Sequence, residues 1–66
     1  MNRIRELRQE RQLSQEELAR LLDVDRSSVA RWETGSNNPR MEKLLALAKI
    51  FRCSLDELIH ENQKAP

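Results

Sequence analysis

Two arginines and a few small side chains carry the chemistry that this sequence offers. Along Arg26–Thr34, a helical wheel of about 100° per residue puts Val29 and Trp32 on one side. Ser27, Ala30, Arg31 and Thr34 fall on the other, with Arg26 at the leading end. Glu33 falls towards the Val29 side, so the outer face carries no carboxylate. A guanidinium offers a planar fork of donors that matches guanine O6 and N7, or phosphate oxygens, in two parallel bonds. Small neighbours let a helix approach another surface closely, and the major groove of DNA, about 12 Å wide, admits a helix. An ordinary short surface helix has the same composition, so these residues alone leave both readings open.

Other reactive groups point nowhere in particular. Cys53, Asp56 and His60 form a poor ligand set, because a structural zinc wants four ligands and the chain has one Cys and one His. No metal and no cofactor is expected. No serine has a His or Lys at a spacing that suggests a nucleophile with its base, so no catalytic residues and no enzyme are expected. Trp32 is either a core residue or a stacking platform for single strands, and the wheel puts it inside.

Composition sets the frame. Sixty-six residues make one small domain, here 1–66, with room for a single core and a stability of a few kcal/mol. The 12 basic and 11 acidic side chains nearly cancel, at net +1, but they are unevenly spread. Residues 1–11 and 26–40 are basic, whereas 12–25 are acidic. Nine of the twelve cations are Arg, the better fork for phosphate and guanine. No apolar run reaches the roughly 18 residues of a membrane span, and one cysteine forms no internal disulfide. With no charged leader before an apolar stretch, a cytoplasmic location is expected.

The elements that must position these groups are all helices, because Leu, Ala, Glu, Arg and Gln dominate and alternating β-branched runs are absent. The first helix is expected from Asn2, as N-cap, to Arg11, with Ile4 and Leu7 inward. Ser14 with Glu17 makes a capping box that starts a second helix, ending near Leu22 and burying Leu18, Ala19 and Leu22. Asp25 reads as the N-cap of the third helix, Arg26 to Thr34. Gly35 supplies a left-handed residue after it, and Ser36 to Pro39 form a loop. A fourth helix runs from Met41 to about Ile50, with Met41, Leu44, Leu47, Ala48 and Phe51 on its inner stripe. Ser54 with Glu57 caps a short fifth helix, Leu55 to Ile59. The tail from His60 has no apolar periodicity and is expected to fray.

The segment from Leu13 to Gly35 resembles the helix-turn-helix of the Cro/CI-type, or XRE, family of transcriptional regulators: capping box, turn spacing, aromatic, Glu and Gly fall in order. Pro39, Leu44 to Ala48 and Ser54 to Leu58 extend the resemblance over about residues 3 to 59. It implies an all-α, five-helix lambda-repressor-like domain, with helix 2 across the DNA backbone and helix 3 in the major groove. By position, Arg26, Ser27 and Arg31 match the family's base readers, and Ala30 would meet a thymine methyl. Gln15, Ser28 and the loop residues Ser36, Asn37, Asn38 and Arg40 match its phosphate side. Plain first-turn and turn chemistry is the competing explanation for Gln15 and for the loop. Arg8 and Glu33 match a structural ion pair between helix 1 and helix 3.

The resemblance also implies a homodimer through the C-terminal helices, for which Leu45, Leu55, Leu58 and Ile59 are the candidate surface. The alternative is that these side chains complete the monomer's own core. Three positions depart from the family: Gln12, Asp23 and Arg52 stand where it commonly has Gly, each at a cost of roughly 1 kcal/mol if left-handed. Gln12 and Arg52 would otherwise signal a different turn. Arg40 also replaces a small N-cap. The expected function is sequence-specific binding of double-stranded DNA, most readily as a repressor, on an inverted repeat with half-sites roughly 34 Å apart. No small-molecule effector is evident, and a prokaryotic or phage setting is implied. A protein-interaction or antitoxin-type module of the same fold is the alternative.

Overall fold

The computed structural model describes residues 3–59. The expected cap at Asn2 and the tail from His60 lie outside them. Five helices follow in order: α1 (Ile4–Glu10), α2 (Gln15–Leu22), α3 (Arg26–Thr34), α4 (Met41–Phe51) and α5 (Leu55–Ile59). There is no strand among the described residues.

Both capping boxes form. At the head of α2, Ser14 Oγ accepts from the Glu17 amide at 3.0 Å, and the Ser14 amide donates to Glu17 Oε1 at 2.8 Å. These bonds from Ser14 hold the Glu17 carboxyl below its ordinary value. Ser54 and Glu57 repeat the arrangement at the head of α5, at 3.0 and 2.9 Å. Asp25 takes the extended N-cap conformation before α3, but its side chain makes no capping bond. There the backbone carries the turn, with the Ser28 amide donating to Asp25 O at 2.9 Å.

Gln12, Asp23 and Arg52 are all left-handed, at φ 59°, 60° and 55°. Each ends a helix with the same pair of bonds. After α1, the Leu13 amide donates to Arg8 O and the Gln12 amide to Gln9 O. After α2, Val24 reaches Ala19 O and Asp23 reaches Arg20 O; after α4, Cys53 reaches Ala48 O and Arg52 reaches Lys49 O. This is the Schellman pattern, which wants glycine at the left-handed position and an apolar residue just after it. The second requirement is met three times, since Leu13, Val24 and Cys53 are all partly buried against the core. The apolar anchor holds each turn although a Cβ opposes it. Gln12→Gly and Arg52→Gly are therefore expected to raise stability by about 1 kcal/mol each, read as a melting temperature several degrees higher. An unchanged or lower melting temperature would show that the native side chains offset the strain.

The core gathers Ile4, Leu7, Leu18, Ala19, Leu22, Val29, Trp32, Leu47, Phe51 and Leu58. Two expectations are corrected. Met41 is 58% exposed, because it opens α4 before that helix reaches the core, which it meets from Leu44 onward. Leu58, a candidate for the dimer surface, is fully buried. Its carbonyl accepts from the Arg3 amide at 3.0 Å, which pins the end of α5 against the start of α1 and turns Leu58 inward. Long cationic side chains join other helices end to side. Lys43 Nζ donates to Leu22 O at 2.8 Å, and Arg11 Nη2 donates to Phe51 O.

Candidate nucleic-acid interface

On α3, Val29 and Trp32 are buried, and Arg26, Ser27, Arg31 and Thr34 are exposed. Ala30 and Ser28 are half-buried at the margins. The outward side is thus small and free of carboxylate, with a guanidinium at each end. The loop that follows folds back on the helix: Gly35 is left-handed at φ 85°, and the Asn37 amide donates to Arg31 O at 3.3 Å. Thr34 Oγ1 and Ser36 Oγ pair at 2.9 Å, and the Asn38 amide donates to Asn37 Oδ1 at 3.1 Å. The amides of Asn37 and Asn38 are therefore engaged within the loop. The exposed side chains of Ser36, Asn37, Asn38 and Arg40 face solvent, while Pro39 between them is buried.

Glu33 is the anchor beneath this surface. Its side chain is wholly buried. Arg8 reaches it with Nε at 2.6 Å from Oε2 and Nη2 at 3.2 Å from Oε1, a two-point contact of the fork type. The third nitrogen of the same guanidinium donates to Leu13 O at 2.8 Å. Burial by itself would raise the Glu33 carboxyl, but the bonds from Arg8 and Gln15 outweigh it and hold it below the usual range.

Two further partners of Glu33 were not visible in the sequence. Gln15 Nε2 donates to Glu33 Oε1 at 3.0 Å, and Arg5 Nε approaches the same oxygen at 3.4 Å. Arg26 Nη1 then donates to Gln15 Oε1 at 3.4 Å. The head of α2 is thereby tied to the head of α3 and to α1. The wheel showed that Glu33 points inward, which signals a partner. How α1 and α2 cross it is a matter of tertiary packing.

A helix-turn-helix family model matches residues 4–58 of the chain. The chain belongs to the Cro/CI-type, or XRE, helix-turn-helix family. The transcriptional activator BcrR of Enterococcus faecalis is 39% identical over 57 residues, which cover 86% of this chain and 28% of that protein. The CTXphi repressor RstR of Vibrio cholerae is 34% identical, over 94% of this chain and 56% of its own length. The chain thus spans between about a quarter and just over half of these curated relatives. Among solved structures, the P22 c2 repressor in complex with a synthetic operator superposes with a TM-score of 0.81 at 35% identity, covering 86% of each chain. A transcriptional regulator from Listeria innocua gives 0.82 at 35% identity, over 96% of this chain and 59% of that one.

The family is one of transcriptional regulators and not of enzymes. In this XRE-family chain the helix-turn-helix is α2, the turn at Asp23 to Asp25, and α3. Among the described residues, no group of three or more His, Cys, Asp or Glu is placed to hold a metal. Cys53 instead anchors the end of α4, and burial pushes its thiol up. Away from the helix-turn-helix, exposed Leu45 and half-buried Leu55 line an open groove between α4 and α5, and Ile59 is exposed at the end of α5. No helix among the described residues is long and apolar enough to cross a membrane.

Proposed function

We propose that this XRE-family domain binds double-stranded DNA sequence-specifically, with α3 in the major groove, and acts as a repressor. The observation that carries this is the acid-free outer face of α3, held rigidly from behind by Glu33 and Arg8. Arg26, Ser27, Ala30 and Arg31 read base edges, with Arg31 placed to fork onto a guanine. Gln15, Ser28, Ser36, Asn37, Asn38 and Arg40 meet the phosphates and fix register. The P22 c2 repressor, whose solved structure is a complex with an operator, supports the docking mode. Repression follows RstR and c2, both named repressors, although BcrR is named an activator. The exposed apolar side chains Leu45 and Ile59, with Leu55, favour a homodimer that reads an inverted repeat with half-sites roughly 34 Å apart.

Selection of bound sequences from a random duplex pool, with protein mass measured in solution, tests this reading. A palindromic consensus and a doubled mass are expected. Failure to enrich any duplex at low salt would remove it, and a stable protein partner captured in place of DNA would favour an interaction module. Gln15→Ala is expected to weaken binding to cognate and random duplexes alike, measured by titration of both. A loss confined to the cognate site would take Gln15 out of the backbone contacts.

A further inference from the structure

Glu33 Oε1 receives both Gln15 Nε2 and Arg5 Nε, at 3.0 and 3.4 Å, so the amide of α2 and a guanidinium of α1 converge on one atom. Their situations differ. Glu33 is buried and already balanced by Arg8, which is itself only 11% exposed and makes the shorter contacts. Arg5 is 59% exposed and lies on the solvent side of the same carboxylate. Its positive charge is therefore surplus to the ion pair, and its hold on Glu33, at the long end of hydrogen-bond distance, is weak. Turning Arg5 outward leaves Glu33 with two bonds from Arg8 and one from Gln15, so no buried carboxylate is stranded.

We propose that Arg5 is a further DNA-backbone contact: it donates to a phosphate beside the one met by Gln15, and Glu33 orients both donors towards the same strand. This rests on the reading of α2 and α3 as a DNA-binding surface. An exposed guanidinium joined through one carboxylate to the phosphate-side amide, and through that amide to Arg26, extends the cationic edge of the helix-turn-helix onto α1.

The test is titration of a random-sequence duplex with wild-type protein, Arg5→Ala, Arg5→Lys and Arg20→Ala from about 50 to about 200 mM salt. Arg20 lies on α2, beside Glu16, and serves as the control for simple loss of a surface charge. Arg5→Ala is expected to flatten the plot of log affinity against log salt by about one unit per bound protomer, which makes the salt-induced loss about three-fold smaller. Arg5→Lys keeps the wild-type slope, Arg20→Ala keeps it too, and the melting temperature of Arg5→Ala stays near that of the wild type. An unchanged slope in Arg5→Ala, or an equal flattening in Arg20→Ala, would overturn the proposal while leaving DNA binding intact. If the wild-type protein binds no duplex at all, the reading beneath it fails and the proposal falls with it.

Discussion

Arg8→Ala is expected to cost about 3–5 kcal/mol of folding stability, because it removes the close two-point partner of a fully buried carboxylate and leaves it only Gln15 and the longer Arg5 contact. For a domain of 66 residues that is most of what there is. Urea unfolding at neutral pH should show a largely unfolded chain or a midpoint close to zero denaturant. The reverse truncation, Glu33→Ala, is expected to cost less, since the Arg8 guanidinium keeps its bond to Leu13 O and reaches water at its partly exposed edge. The two variants should also differ with pH. In the wild type, Glu33 is held below its unfolded value, so its contribution is present above the ordinary carboxylate range and is lost as pH falls through the lower, folded value. Without Arg8 the largest of the lowering causes is lost and the carboxyl moves up from its wild-type position. The variant then loses less stability than the wild type as pH falls. The gap between wild type and Arg8→Ala should therefore narrow in acid. A gap that is constant from pH 7 to about pH 4, or an unshifted neutral midpoint, would remove the pair as the anchor of α3.

Arg31→Ala is expected to weaken cognate binding by about 1–3 kcal/mol and to relax the preference at one base position, with little change at the others. Arg31 projects from the last turn of α3, exposed, while its carbonyl accepts from the amides of Gly35 and Asn37 and fixes the loop behind it. The side chain is thus free to act at base edges without carrying the fold, and the melting temperature should hold. Competition between cognate and single-base variants of the selected site reads the effect directly. A uniform loss across random duplexes would reassign Arg31 to phosphate contact and leave discrimination to Arg26 and Ser27.

Much of this architecture is written locally. Ser14 with Glu17 and Ser54 with Glu57 are four-residue signals whose bonds close within one turn, so they set the starts of α2 and α5 whatever lies around them. Gly35 is equally local. The 3.6-residue period of Val29 and Trp32 sorts α3 into a buried and an open side, and it placed Glu33 inward correctly. The turn at Gln12 and the one at Arg52 were less legible, because the residue at the left-handed position is the wrong type. What decides them is the apolar residue that follows, Leu13 and Cys53, packed on the core.

The amino-acid order by itself determined the five helices, the acid-free face of α3 and the inward turn of Glu33, since each depends on side chains within a few residues of one another. Only the packing of one helix on another decided which groups meet Glu33. Arg5, Arg8 and Gln15 converge on it from 18 to 28 residues away. The same packing put Leu58 in the core and left Met41 outside. A wheel gives a side chain its direction around the helix axis, but the neighbour found in that direction depends on the crossing of the next helix, which no local spacing encodes.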